Sequence, residues 1–156
     1  MEQLLKWQWP DGGWNCDKKP LASHSSFYET WIPLRALNAY AQVSRDVRVR
    51  LAVEKAAEVF LRHRLFKKST AEDIILPNFT QLAFPAYWHY DVLVGLLLMD
   101  ETGRLDDPRC KDALDWLESR QLPGGGFAAD VKYFTTSLKA ASGRIVTGKQ
   151  IGRAHV

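Results

Sequence analysis

His24, His89 and Asp91, together with Cys16 and Glu29, are residues whose types suit chemistry and whose places fall near expected helix starts. An imidazole exchanges its proton close to physiological pH, and the carboxylate of Asp91 lies two positions beyond His89 in "HYD", so these two form the candidate catalytic pair. Cys16, His24, His89 and Asp91 are also of metal-ligand type, although Cys16 and Cys110 lack CxxC spacing and no metal is assigned. Aromatic residues crowd around the same positions: Phe27, Tyr28, Trp31, Tyr87, Trp88 and Tyr90. Aromatic faces stabilise cations and pack against apolar chains. His24, Tyr28, Glu29, Trp31, Tyr87, Trp88 and Tyr90 are therefore the candidate substrate-binding residues. The same composition also suits a plain core, and His89 and Asp91 equally suit bonding each other or capping a helix.

Such residues need helix starts to carry them. "SSFYETWIPLRALNAYAQVS" sets Phe27, Trp31, Leu34, Leu37 and Ala41 at three- and four-residue spacing, which predicts a helix capped by Ser25 or Ser26. "VRVRLAVEKAAEVFLRHRLF" places Val49, Val53, Ala56, Val59 and Phe60 on one face and predicts a second helix ending near Arg64. "YWHYDVLVGLLLMDET" is apolar nearly all round, as in a helix buried on several sides, and Gly103 stops it. "DDPRCKDALDWLESRQL" opens with acids, has Pro108 in its first turn and turns Ala113, Trp116 and Leu117 inward. Pro77 and Pro85 confine residues 66–86 to a long connection placed to lie over a pocket. "VKYFTTSLKAAS" reads equally as a fifth helix or as a strand-like loop, and Met1 falls in what reads as the end of a helix.

Two stretches echo each other, "WQWPDGGWNC" at 7–16 and "RQLPGGGF" at 120–127. Gln8 and Gln121 each precede a Pro by two residues and an aromatic, Trp14 or Phe127, by six; the 113-residue separation equals two helical hairpins of about 56. "DVR" at 46–48 and "DPR" at 107–109 open the two amphipathic helices alike. Mostly buried helices alternate with amphipathic ones, the order produced by a ring of hairpins with one helix of each pair inside. The expected fold is all-α, a partial α–α toroid of four to five helices. Each Gln can serve orphan groups at a helix end, the glycines permit a tight turn, and the aromatic buries it.

This pattern resembles the repeats of the terpenoid cyclase and protein prenyltransferase superfamily of α–α toroids, squalene-hopene-cyclase-like in their Gln, short spacer and Gly-x-Trp. "QWPDGGW" fits well and "QLPGGGF" loosely, and the resemblance spans residues 4–127. It implies an isoprenoid or similar lipid-like ligand, with the Gln tying outer helices together. The triterpene cyclases of the superfamily protonate an alkene through DxDD, which is absent here; the acids of "LDDPR" read as helix caps. Its prenyltransferases hold zinc through Asp-x-Cys and a His. "HSSFYETW" has no Asp-x-Cys, and His89 alone falls close to the place of that His. The catalytic motifs are thus incomplete over this stretch.

Two other readings stay open: a non-catalytic toroid that binds a ligand or a protein, and a carbohydrate-active toroid with Glu29 and Asp91 as paired acids. Composition narrows the classes. Hydrophobic residues make up 46% and charged residues 25%, which suits an ordered domain. The net charge of +3 comes from interleaved acids and bases, so no basic stripe points to nucleic acid. No run approaches the roughly 18 apolar residues of a membrane span, and "MEQLLKWQWP" lacks a secretory leader's pattern, so the expected compartment is the cytoplasm. Nothing assigns a cofactor. The domain is expected over 1–150. "IGRAHV" at 151–156 back-translates to a common sequencing adapter and reads as a tail of non-biological origin. Four or five helices leave a toroid of about twelve unclosed, which predicts exposed apolar faces.

Overall fold

In a computed structural model, residues 1–19, 21–132, 134–137 and 146–149 are described, those from 132 onward by backbone alone. Helices dominate. They are α1 (Glu2–Trp7), α2 (Phe27–Ala41), α3 (Val47–Leu61), α4 (Val92–Glu101) and α5 (Lys111–Glu118), with 3₁₀ turns at Pro77–Thr80 and Pro108–Cys110. Two short pairings complete the described residues. Strand β1 (Ala83–Phe84) runs parallel to β2 (Val131–Lys132), and β3 (Phe134–Ser137) runs antiparallel to β4 (Val146–Lys149). The class is therefore all-α in substance. The undecided stretch from Val131 is extended where described; Tyr133, residues 138–142 and the tail at 151–156 lie outside the described residues. No helix among the described residues is long and apolar enough to cross a membrane.

α2 packs on α3 and on α4, and α4 packs on α5. The apolar faces legible in the sequence meet there: Leu34 and Leu37 of α2, Val49, Ala56 and Phe60 of α3, Val92 and Met99 of α4, and Ala113 of α5 are all fully buried. An aromatic cluster closes one end. Phe27 stacks on Phe79 at 5.2 Å, Phe60 stacks on Tyr90 at 5.3 Å, and Phe27 meets Tyr90 edge-on at 4.9 Å. Such pairs add to area burial by about 0.5–1.5 kcal/mol each.

Caps account for where the helices begin. Asp46 accepts from the Arg48 N–H and Asp107 from the Arg109 N–H, each at 2.9 Å, so the "DVR" and "DPR" echo is one geometry used twice. In both, the Arg side chain also pairs with its own Asp and then reaches the helix two back in the chain, Arg48 to Glu2 of α1 at 2.8 Å and Arg109 to Glu58 of α3 at 2.7 Å. The expected serine cap of α2 is not formed. Ser26 holds the cap position without a side-chain bond, and Ser25 is taken by Asp11, to which it donates its hydroxyl and its N–H, each at 2.6 Å. Burial pushes the Asp11 carboxyl up, and the Ser25 bonds outweigh it, holding the group below the ordinary carboxylate value.

Helix ends depart from the spacing in three places. α3 stops at Leu61, short of Arg64, and the chain leaves through Arg64 and Leu65 at φ 46° and 69°, conformations costly for non-glycine residues. Leu65 is fully buried there, which offsets the cost. α4 begins at Val92 instead of Tyr87: Asp91 caps it, and Tyr87 to Tyr90 form a turn with Tyr87 at φ 51°. α5 is preceded by a 3₁₀ turn that contains Pro108, and it ends at Glu118. Gly103, at φ 68°, ends α4 as expected.

Several carboxylates are held low by cationic partners, which fixes an acid response. The Arg109 guanidinium brings Asp107 down to about 2, and Lys67 followed by Arg64 brings Glu72 down to about 2. Folded values below unfolded ones contribute stability present above pH ~4 and lost as pH falls through the folded values. The thermal midpoint followed by circular dichroism is expected to drop steadily from pH 5 to pH 2.5. A flat midpoint over that interval would remove these pairs from the account of stability.

Candidate functional site

The echo seen in sequence becomes a geometry repeated bond for bond. At the first turn the Trp9 N–H donates to the Gly13 carbonyl, the Gly12 N–H to the Trp9 carbonyl, and the Gln8 amide to the Gly12 carbonyl at 2.7 Å. At the second the Leu122 N–H donates to the Gly126 carbonyl, the Gly125 N–H to the Leu122 carbonyl, and the Gln121 amide to the Gly125 carbonyl at 3.4 Å. Gly12 and Gly125 occupy the same place at φ 109° and 85°, a region that a side chain makes costly. The first turn steers the chain into α2: the Thr30 hydroxyl accepts from the Trp14 N–H at 3.0 Å and donates to its carbonyl, and Trp14 Nε1 donates to the Leu4 carbonyl.

Two hollows sharing Asn15 border the start of α2. The smaller, about 410 Å³, has walls of Phe27, Tyr28, Ile75, Leu76 and Phe79, with His24, His63 and Lys68 among its polar groups. The connection between α3 and α4 thus lines a pocket, as its length suggests. The larger, about 730 Å³, is an open cleft among Trp7, Trp9, Trp14, Cys16 and Glu29.

The candidate residues divide among four surroundings. His24 and Tyr28 line the smaller hollow. Glu29 and Cys16 line the larger, where the thiol donates to the Glu29 carboxylate at 3.2 Å and that bond pushes the thiol pKa up. Pro33, one turn on in α2, has no N–H for the Glu29 carbonyl. Tyr87, Trp88 and His89 form an aromatic rim before α4, with the Trp88 and His89 rings stacked at 3.9 Å. Burial pushes the His89 imidazole down, against the pull of Asp91. Trp31, Tyr90 and Asp91 are core. Trp31 Nε1 donates to the Trp88 carbonyl at 3.1 Å, tying α2 to the rim, and the Tyr90 hydroxyl donates to the Leu65 carbonyl at 2.7 Å.

Asp91 is 2% exposed and both its oxygens are engaged, Oδ1 by the Val94 N–H at 3.0 Å and Oδ2 by the Ala83 N–H at 2.9 Å. Burial raises its pKa against those bonds. It therefore works as a cap and a clamp on β1, and it borders neither hollow. Glu29 and Asp91 share no cavity of the two, and Cys16, His24, His89 and Asp91 do not converge: among the described residues no group of three or more His, Cys, Asp or Glu side chains could hold a metal.

His63 is the functional candidate that the sequence reading passed over. It stands three residues beyond Phe60, so it continues the buried face of α3, and that spacing was the available signal. Its Nδ1 lies 3.2 Å from the Lys67 carbonyl, which can only accept, so Nδ1 carries the proton. Burial lowers its pKa, with Arg62 and His24 adding to the effect, which favours the neutral ring and leaves Nε2 with a lone pair. Lys68 and Ser69 follow no periodicity and carried no signal. No protein family, no curated protein and no solved structure matches this chain.

Proposed function

We propose that the chain is a section of an α–α toroid of the terpenoid cyclase and prenyltransferase kind, and that it holds an isoprenoid or similarly apolar ligand at the start of α2. The observation that carries the ligand is the 410 Å³ hollow, whose walls of Phe27, Tyr28, Ile75, Leu76 and Phe79 offer an apolar chain both aromatic and aliphatic contact. The toroid is supported by the recurrence, after two hairpins, of the Gln-bonded turn, and by the Asp-x-Arg entry shared by α3 and α5. His24, His63 and Lys68 give the hollow a polar side suited to a ligand's oxygen-bearing end. With DxDD and Asp-x-Cys absent and Asp91 committed to backbone groups, the reading is one of binding and orientation.

Farnesol serves as the probe, titrated against the full chain by calorimetry. Leu76→Asp alters the pocket wall at a residue 41% exposed, so folding is expected to survive, which a thermal melt checks. The expected result is saturable binding that weakens about tenfold in the variant, the equivalent of roughly 1.4 kcal/mol of lost apolar contact. Equal affinity in both proteins, or no binding, would sink the proposal.

A further inference from the structure

The two Gln-bonded turns share a design but not a covering. At the first, Gln8 also donates to the Ala52 carbonyl of α3 at 2.8 Å, Gly12 lies so close to the backbone of Lys55 that a Cβ would collide with it, and Trp14 is only 6% exposed. At the second, nothing comparable lies over the turn among the described residues: an added Cβ on Gly124, Gly125 or Gly126 would meet none of them within 4 Å, and Phe127 and Leu122 are 37% and 48% exposed. What lies over the first turn is α3, an amphipathic helix opening Asp-x-Arg, and its Arg48 grips Glu2 of α1. The 113-residue shift that maps Gln8 onto Gln121 maps Glu2 onto Asp115, an exposed acid of α5 whose present partner is Lys111 in the preceding turn. The grip is a recurring one, since Arg109, in the 3₁₀ turn that opens onto α5, takes Glu58 of α3 in the same way.

We propose that α5 and the turn at 121–127 form a docking surface for an amphipathic helix that opens Asp-x-Arg, laid across the turn as α3 is laid across the first. The molecule itself supplies the template: a backbone carbonyl of the incoming helix accepts from the second amide hydrogen of Gln121, the one not given to Gly125, its apolar face covers Leu122 and Phe127, and its arginine exchanges Lys111 for itself on Asp115. Apolar cover provides the affinity and the charge pair fixes the register. The inference rests on the toroid part of the reading above and not on its ligand.

The test titrates a fluorescently labelled peptide of residues 44–66, which carries the Asp-x-Arg entry and the face of α3, against the full chain. Saturable binding is expected, weakened about tenfold or more by Phe127→Asp and by a smaller factor by Asp115→Lys, and unchanged by Val43→Asp at a remote exposed position. A peptide that binds Phe127→Asp as it binds the parent is displacing the chain's own α3, and that result overturns the proposal, as does absence of binding. Self-association of the chain that Phe127→Asp abolishes, without peptide binding, overturns it by making a second copy the occupant. Farnesol affinity of Phe127→Asp is expected to equal the parent's, so loss of the ligand reading and loss of the docking surface are read separately.

Discussion

Trp14→Ala is expected to cost about 3–5 kcal/mol of folding stability, while Phe127→Ala, at the equivalent place in the second turn, costs about 1 kcal/mol or less. Trp14 is buried between α1 and α2, and its truncation removes the Nε1 bond to the Leu4 carbonyl and leaves a cavity beside Thr30. Phe127 keeps more than a third of its surface in water and has no such bond to lose. The glycines give a second contrast. Gly12→Ala and Gly125→Ala share a backbone penalty of roughly 1–2 kcal/mol for their positive φ, but only Gly12 would also drive a methyl group into the Lys55 backbone. Urea unfolding of the four variants measures all of this. Equal losses at the two turns would mean that the covering by α3 contributes nothing, and the distinction between a closed and an open turn would fail.

The helices were legible because burial and periodicity agree. Leu34, Leu37, Val49, Ala56 and Phe60 recur at helical spacing and are all fully buried, so the pattern reports the packing directly. The Asp-x-Arg entries were legible as an echo, although their reach to the helix two back was not, since Glu2 and Glu58 have no sequence mark that sets them apart from other surface acids. The start of α4 was misplaced because "YWHY" is as apolar as the helix after it. Periodicity cannot separate a buried helix from a buried turn; what decides is Asp91, whose carboxylate engages Val94, and the Tyr90 hydroxyl, which is held by Leu65. Both bonds are tertiary or capping choices that an apolar run does not reveal.

Candidate site residues followed the same division. His24 and Tyr28, picked out by residue type, line a hollow because they flank the start of α2, an element the spacing locates well. Types alone grouped Trp31, Tyr90 and Asp91 with them, because a buried polar network and an active site draw on the same amino acids. Burial tells them apart: Trp31, Tyr90 and Asp91 are 6%, 1% and 2% exposed, and each has its polar group bonded to backbone. Lys68, Ser69, Ile75 and Leu76 reach the hollow from a connection with no period, so only the folded chain reveals them.

Asp91→Ala is expected to cost about 2–4 kcal/mol, since it removes an N-cap worth roughly 1 kcal/mol and leaves the half-buried Ala83 N–H without its acceptor. Asp91→Asn restores one acceptor oxygen but turns an NH₂ toward the other N–H, so it recovers only part of the loss. Burial gives the pH dependence its sign. The folded pKa lies above the unfolded value near 3.9, so the contribution of Asp91 is greatest below pH ~4 and declines as pH rises through the folded value. The stability gap between the parent chain and Asp91→Ala is therefore expected to be wider in mild acid than at pH 7, measured by urea unfolding at both. An acid retained for chemistry predicts the reverse set of results: a variant that unfolds like the parent at both pH values has lost no cap, and Asp91 would then return to the candidate catalytic residues beside His89.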